Sequence, residues 1–164
     1  MHVISKVVGV AMLVALTAAL ILPVNSLNAA GGEALIKERR ALMKKVIGKN
    51  WKPIKAYAKD GKGTPAEIVK HAGEITAAAK KITGLFPKGT GRGDYSDKET
   101  RALPAIWKDW NDFEKAAEAL GVESAKLTRI AMEGNKDAIT KQIGAMGKKG
   151  CGACHKPFRG AKVK

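Results

Sequence analysis

After residue 33, every apolar period in this chain is a helical one. Leu35, Ile36, Leu42, Met43, Val46, Ile47, Trp51, Ile54 and Ala58 recur at threes and fours and form one broad stripe. No stretch alternates as a half-buried strand does. The spacing predicts a first helix over roughly 33–59. Pro53 removes one backbone donor inside it and predicts a kink near Asn50-Trp51. Asp60-Gly61-Lys62-Gly63 ends that helix, and Thr64-Pro65-Ala66-Glu67 reads as a capping box with proline at the first helical position. A second helix follows, with Ile68, Ala72, Ile75, Ala79 and Ile82 facing inward.

Between Phe86 and Thr100 the helical period disappears into a glycine-rich run, a long connection of the kind that crosses from one end of a bundle to the other. Arg92-Gly93-Asp94 within it is an adhesion-like tripeptide that a glycine-rich turn also explains. A third and longest helix is predicted from Ile106, Trp107, Trp110, Phe113, Ala117, Leu120, Leu127 and Ala131, running through Gly121 to a stop at Gly134-Asn135. The fourth carries Ile139, Ile143 and Met146. Met132 and Met146 are both expected in the core. Four helices and no sheet predict an all-α fold, an antiparallel four-helix bundle.

The start of the chain describes an address rather than a fold. Lys6 precedes the apolar run Val7–Leu22, and Pro23 and the small residues of Asn28-Ala29-Ala30 follow, the pattern of a secretory signal peptide. The run is short of the roughly 20 apolar residues of a spanning helix. Residues 1–29 are therefore expected to be removed, leaving residues 30–164 as a single domain. Cleavage takes away one charged residue, Lys6, so the formal charge falls from +15 to +14.

The two cysteines lie in Cys151-Gly152-Ala153-Cys154-His155. A disulfide three residues long would close almost no loop and stabilise little, so their role is expected to be chemical. On a helix, positions 151, 154 and 155 share one face. Both sulfurs can then add across the two vinyl groups of a haem while the imidazole stands beneath the iron. A thioredoxin-like pair would follow a strand, and a zinc site needs four ligands. His71, the other histidine after residue 30, lies on the second predicted helix and reads as an ordinary, partly exposed residue.

With the motif on the last helix, the chain resembles the cytochrome c′ family and its low-spin relatives. The likeness runs from Glu38-Arg39-Arg40-Ala41-Leu42-Met43 through Ala105-Ile106-Trp107-Lys108-Asp109 to the Cys-His motif. It implies one covalent haem c held by Cys151 and Cys154, iron ligation by His155, and in some members a homodimer packed through the first two helices. Pro157 departs from the family pattern at the last turn. The resemblance further implies that Arg39 lies near a haem propionate and that Met43, four residues on, faces the open side of the iron. Arg40 and Arg159 are weaker candidates for the propionate role, with solvated surface charge as the other reading. High-spin members carry a non-ligating side chain at the distal position. Met43 offers a soft thioether ligand that favours ferrous iron, although methionine on an apolar stripe also serves as packing.

The expected function is one-electron transfer in the periplasm, with no substrate turnover. The alternative is a five-coordinate haem protein that binds nitric oxide or carbon monoxide, and Met43 separates the two. The charge of +14 implies redox partners with acidic surfaces, with an anionic membrane surface as a second possibility. Nucleic acid and a permanent membrane anchor are not expected.

Overall fold

The computed structural model describes the backbone of residues 24–163 and the side chains of residues 31–163. Most of the expected leader, residues 1–29, lies outside that span. Among the described residues there is no strand, only the isolated bridges Arg92↔Tyr95 and Ala102↔Arg159.

The first rod comprises α1 (Val24–Ala41), a π-helical segment (Leu42–Ile47) and α2 (Gly48–Asp60). Pro53 lies inside α2 without ending it. The irregularity in hydrogen bonding falls a turn earlier, where the Gly48 N–H reaches back five residues to the Met43 carbonyl. Just past that wider turn, Asn50 Nδ2 donates to the Val46 carbonyl at 2.9 Å. Gly61, in the left-handed region at φ +65°, closes the rod, and the Lys62 N–H returns to the Ala56 carbonyl at 3.4 Å.

The predicted capping box forms at the start of α3 (Pro65–Ala79): the Thr64 N–H donates to Glu67 Oε2 at 2.7 Å, and the Glu67 N–H donates to Thr64 Oγ1 at 3.2 Å. The inward-facing residues Ile68, Ala72, Ile75 and Ala79 are buried on this helix, and Ile82, which the sequence set on it, is buried just past its end. The crossover loop follows a short 3₁₀ turn (Thr83–Leu85). What reads in sequence as one long third helix is divided at Asp109 into α4 (Ala105–Lys108) and α5 (Trp110–Met132). α5 packs along α3, and Thr76 Oγ1 meets Ser124 Oγ at 2.8 Å between them.

Met132 is not core; it is 70% exposed. The buried stripe of α5 runs through Phe113, Ala117, Leu120, Ser124, Leu127 and Ala131, and Met132 falls a third of a turn off that line. Met146 is fully buried, as expected. Asn135 does more than end a helix. Its Oδ1 accepts the Asp137 and Ala138 N–H groups at 3.1 and 3.0 Å, and so it begins the last rod. That rod comprises α6 (Lys136–Ala145), a second π segment (Met146–Gly152) and α7 (Ala153–Phe158). Pro157 is accommodated in the final turn, after which the chain leaves extended at Arg159.

The four rods form the expected bundle, closed at one end by aromatic rings. Phe113 packs against Phe86 of the loop at 4.9 Å, Trp110 at 5.4 Å and Phe158 at 5.5 Å between centroids. Among the described residues no helix is long and apolar enough to cross a membrane.

Candidate functional site

The last rod presents Cys151, Cys154 and His155 together. Cys151 lies in the π segment, and Cys154 and His155 fill the first turn of α7. Gly150 sets how closely this turn approaches α5: a Cβ there would stand 3.1 Å from Leu120 Cδ1 and 3.2 Å from its Cα. Only glycine lets the two backbones meet so closely.

Both thiols are free and half-buried. Burial raises the Cys151 pKa and pushes that of Cys154 up to about 11, against the opposing pull of Lys55 on the former and Arg159 on both. The half-buried His155 is driven the other way, down to about 4, first by burial and then by the positive charges of Arg159 and Arg101. Its ring is neutral at physiological pH, the state in which imidazole ligates a metal. Two free thiols one helical turn apart, beside a neutral imidazole, fit covalent attachment of haem, and Lys55, Arg101 and Arg159 give the surroundings the sign that haem carboxylates require.

Met43 lies on the first π segment, half-buried, between core residues Leu42 and Ile47. The expected distal residue and the first expected thioether cysteine thus each occupy a π-helical turn. Apolar period does not reveal such turns, and they are found disproportionately at functional positions.

Arg39 is 4% exposed. Its Nη1 donates to Thr90 Oγ1 at 2.8 Å and the Leu85 carbonyl at 3.4 Å; its Nη2 donates to Thr100 Oγ1 at 2.6 Å and to the Thr90 carbonyl. The guanidinium also lies 4.7 Å from the Phe86 ring centroid. Burial lowers its pKa to about 10, so it remains charged at neutral pH. The resemblance sets Arg39 beside a propionate; the structure commits both terminal nitrogens to the crossover loop. Arg40 is exposed and donates to the Glu99 carbonyl at 3.2 Å. Arg159 is exposed beside His155.

Arg101 is the residue that sequence reasoning missed. Its Nε donates to the Gly160 carbonyl at 2.7 Å, the Gly160 N–H returns to the Arg101 carbonyl at 2.8 Å, and the Leu103 N–H meets the Phe158 carbonyl at 3.1 Å. These bonds clip the loop to the chain leaving α7. A residue in an aperiodic loop carries no local signal for that role. His71 Nδ1 is hydrogen-bonded with Asn50 Oδ1 at 2.8 Å. Arg92-Gly93-Asp94 forms a turn with Gly93 at φ +102°; Arg92 pairs with Asp97 at 3.3 Å, and Asp94 Oδ2 accepts the Gly91 N–H at 3.1 Å.

Residues 34–159 match the family described as Cytochrome C′. The chain is 32% identical over 123 residues to the cytochrome c-556 of Agrobacterium tumefaciens strain II Chrys, covering 74% of this chain and 94% of that protein. It is 34% identical over 116 residues to the cytochrome c′ of Halomonas halodenitrificans, covering 70% of this chain and 87% of that one. The solved structure of a cytochrome c′ with an unusual ligand-controlled dimer dissociation superimposes with a TM-score of 0.68 at 27% identity, over 79% of this chain and 97% of that one.

Proposed function

Since the chain belongs to the cytochrome c′ family and is a haem c protein, we propose that it is an exported one-electron carrier of the periplasm, six-coordinate through His155 and Met43. The observation that carries this reading is Met43 itself: a half-buried thioether on the helix that the family sets against the open face of the iron. Bound haem supplies the ferric/ferrous couple and the protein sets its potential.

The residues divide the work. Cys151 and Cys154 tether the haem, so its orientation is fixed on the last rod. His155, held neutral by burial, is the proximal ligand. Met43 favours the ferrous state and closes the sixth position to exogenous ligands. Arg101, Arg159 and Lys55 offset the propionate charge. The role proposed is electron transfer without substrate turnover.

The second reading is gas capture at an open sixth position, with Met43 as packing only. A relative whose dimer dissociates under ligand control supports a ligand-binding role and a dimer. Optical spectra of the purified holoprotein distinguish the readings: a carrier is low-spin in both oxidation states, and a gas binder is high-spin.

A further inference from the structure

Between Glu38 and Asp60 the first rod contains no acidic residue, yet Lys44, Lys45, Lys49, Lys52, Lys55 and Lys59 are all exposed on it. None of the six is in an ion pair among the described residues, where the pairs are Lys37 with Glu33, Arg92 with Asp97, and Lys115 with Asp112. Like charges spaced three and four apart weaken a helix, so this face is a local cost to the fold. The last rod beside it likewise has no acidic residue after Asp137 and exposes Lys141, Lys148, Lys149 and Lys156, so the basic face continues onto the haem helix, whereas the other long helix is built differently. α5 interleaves Asp112, Glu114, Glu118 and Glu123 with Lys115, Lys126 and Arg129.

The face also has shape and position. Lys52, Lys55 and Lys59 outnumber the single carboxylate Asp60 around a shallow groove of about 470 Å³ between α2 and α6, whose floor is Ala56, Ala58 and Ile143. Lys55 is within electrostatic reach of Cys151, and a Cβ on Gly147 would stand 3.4 Å from the Trp51 ring, so the rod lies against the helix that holds the cysteines.

We propose that this lysine face is the docking surface for an acidic redox protein, whose carboxylates meet Lys52, Lys55 and Lys59 above the haem helix. The proposal rests on the electron-carrier reading and adds the place of exchange. Complementary charge speeds such encounters more than it tightens them. A bilayer is a poorer occupant. Helices that lie on membranes insert an apolar face, whereas the apolar face of this rod is in the core, and the exposed large apolar side chains Val122, Met132 and Val163 lie elsewhere.

The test compares three holoproteins: wild type, Lys49→Glu/Lys52→Glu/Lys59→Glu, which spares Lys55 beside the haem site, and a control of equal charge change, Lys80→Glu/Lys115→Glu/Lys126→Glu. Each is reduced and then oxidised by hexacyanoferrate(III), one electron passing from the ferrous protein to give hexacyanoferrate(II). At low ionic strength the α2 variant is expected to react roughly tenfold more slowly than wild type, and the control much less so. Equal slowing of the two variants means that net charge alone is read, and overturns the proposal. Titrating ¹⁵N-labelled wild type with polyglutamate should shift resonances of residues 44–59; shifts scattered over all four rods contradict it. Binding to vesicles of equal parts phosphatidylglycerol and phosphatidylcholine that the α2 variant alone loses assigns the face to membrane instead. Outer-sphere oxidation proceeds whether or not Met43 ligates, so these results stand apart from the spectra that test the carrier reading.

Discussion

The guanidinium of Arg39 and the hydroxyl of Thr100 are joined by a 2.6 Å hydrogen bond that ties the first rod to the end of the crossover loop. Thr100 is followed directly by Arg101, which is clipped to Gly160 just beyond α7. One loop therefore holds both the helix that carries Met43 and the chain that leaves His155. Replacing Arg39 with leucine takes the guanidinium from the Thr90 carbonyl and hydroxyl and leaves Thr100 Oγ1 with only the Ala102 N–H at 3.1 Å, at a cost of about 3 kcal/mol. Denaturant unfolding should show that loss. Arg39→Lys, which cannot reach Thr90 and Thr100 together, should recover only part of it, and full recovery by lysine would show that charge alone mattered.

Haem should stay with the polypeptide through denaturation and acid-organic extraction, because Cys151 and Cys154 hold it by thioether bonds. Mass spectrometry should find the mass of one haem added to the mature chain. Cys151→Ala should leave one tether and a weaker, heterogeneous product. Complete extraction of haem from wild type would refute the assignment.

Features encoded locally were legible in the sequence. The capping box at Thr64 and Glu67 depends on residues three apart, and the Cys-His motif on five in a row, so both could be read without knowing the fold. Met132 was misread because it is adjacent to a buried alanine, and one residue along a helix turns a side chain by about 100°. Arg39 could be picked out but not its duty, since its partners Thr90 and Thr100 lie more than fifty residues away and in an aperiodic segment. Neither π segment has a distinct period. Arg101 acts through backbone pairing with the C-terminal residues, which becomes visible only once the loop is folded against them.

His155 gives a pH dependence whose sign is fixed. Its pKa falls from 6.5 to about 4 in the folded chain, so between those values the unfolded chain takes up a proton that the folded one refuses. Stability is complete above about pH 6.5 and declines as the pH falls to about 4, by on the order of 1–2 kcal/mol once solvent screening of this half-buried group is allowed for. In haem-free Cys151→Ser/Cys154→Ser protein the urea midpoint should drop across that window, and His155→Gln should remove that part of the slope. An unchanged slope in the glutamine variant would assign the dependence to other groups.

The leader predicts that the mature protein begins near Ala30. N-terminal sequencing of protein released by periplasmic extraction should start there, and a membrane-bound product retaining residues 1–29 would contradict export by cleavage.

The most direct test of the account is the optical spectrum of Met43→Ala beside that of wild type, with and without carbon monoxide. If Met43 is the sixth ligand, the wild type is low-spin in both oxidation states and takes up carbon monoxide slowly, because the gas must displace a sulfur held by the first rod. The alanine variant should be high-spin, bind carbon monoxide readily and show a lower reduction potential. A wild type that is already high-spin, with a spectrum the substitution leaves unchanged, would make Met43 packing only and the protein a gas binder.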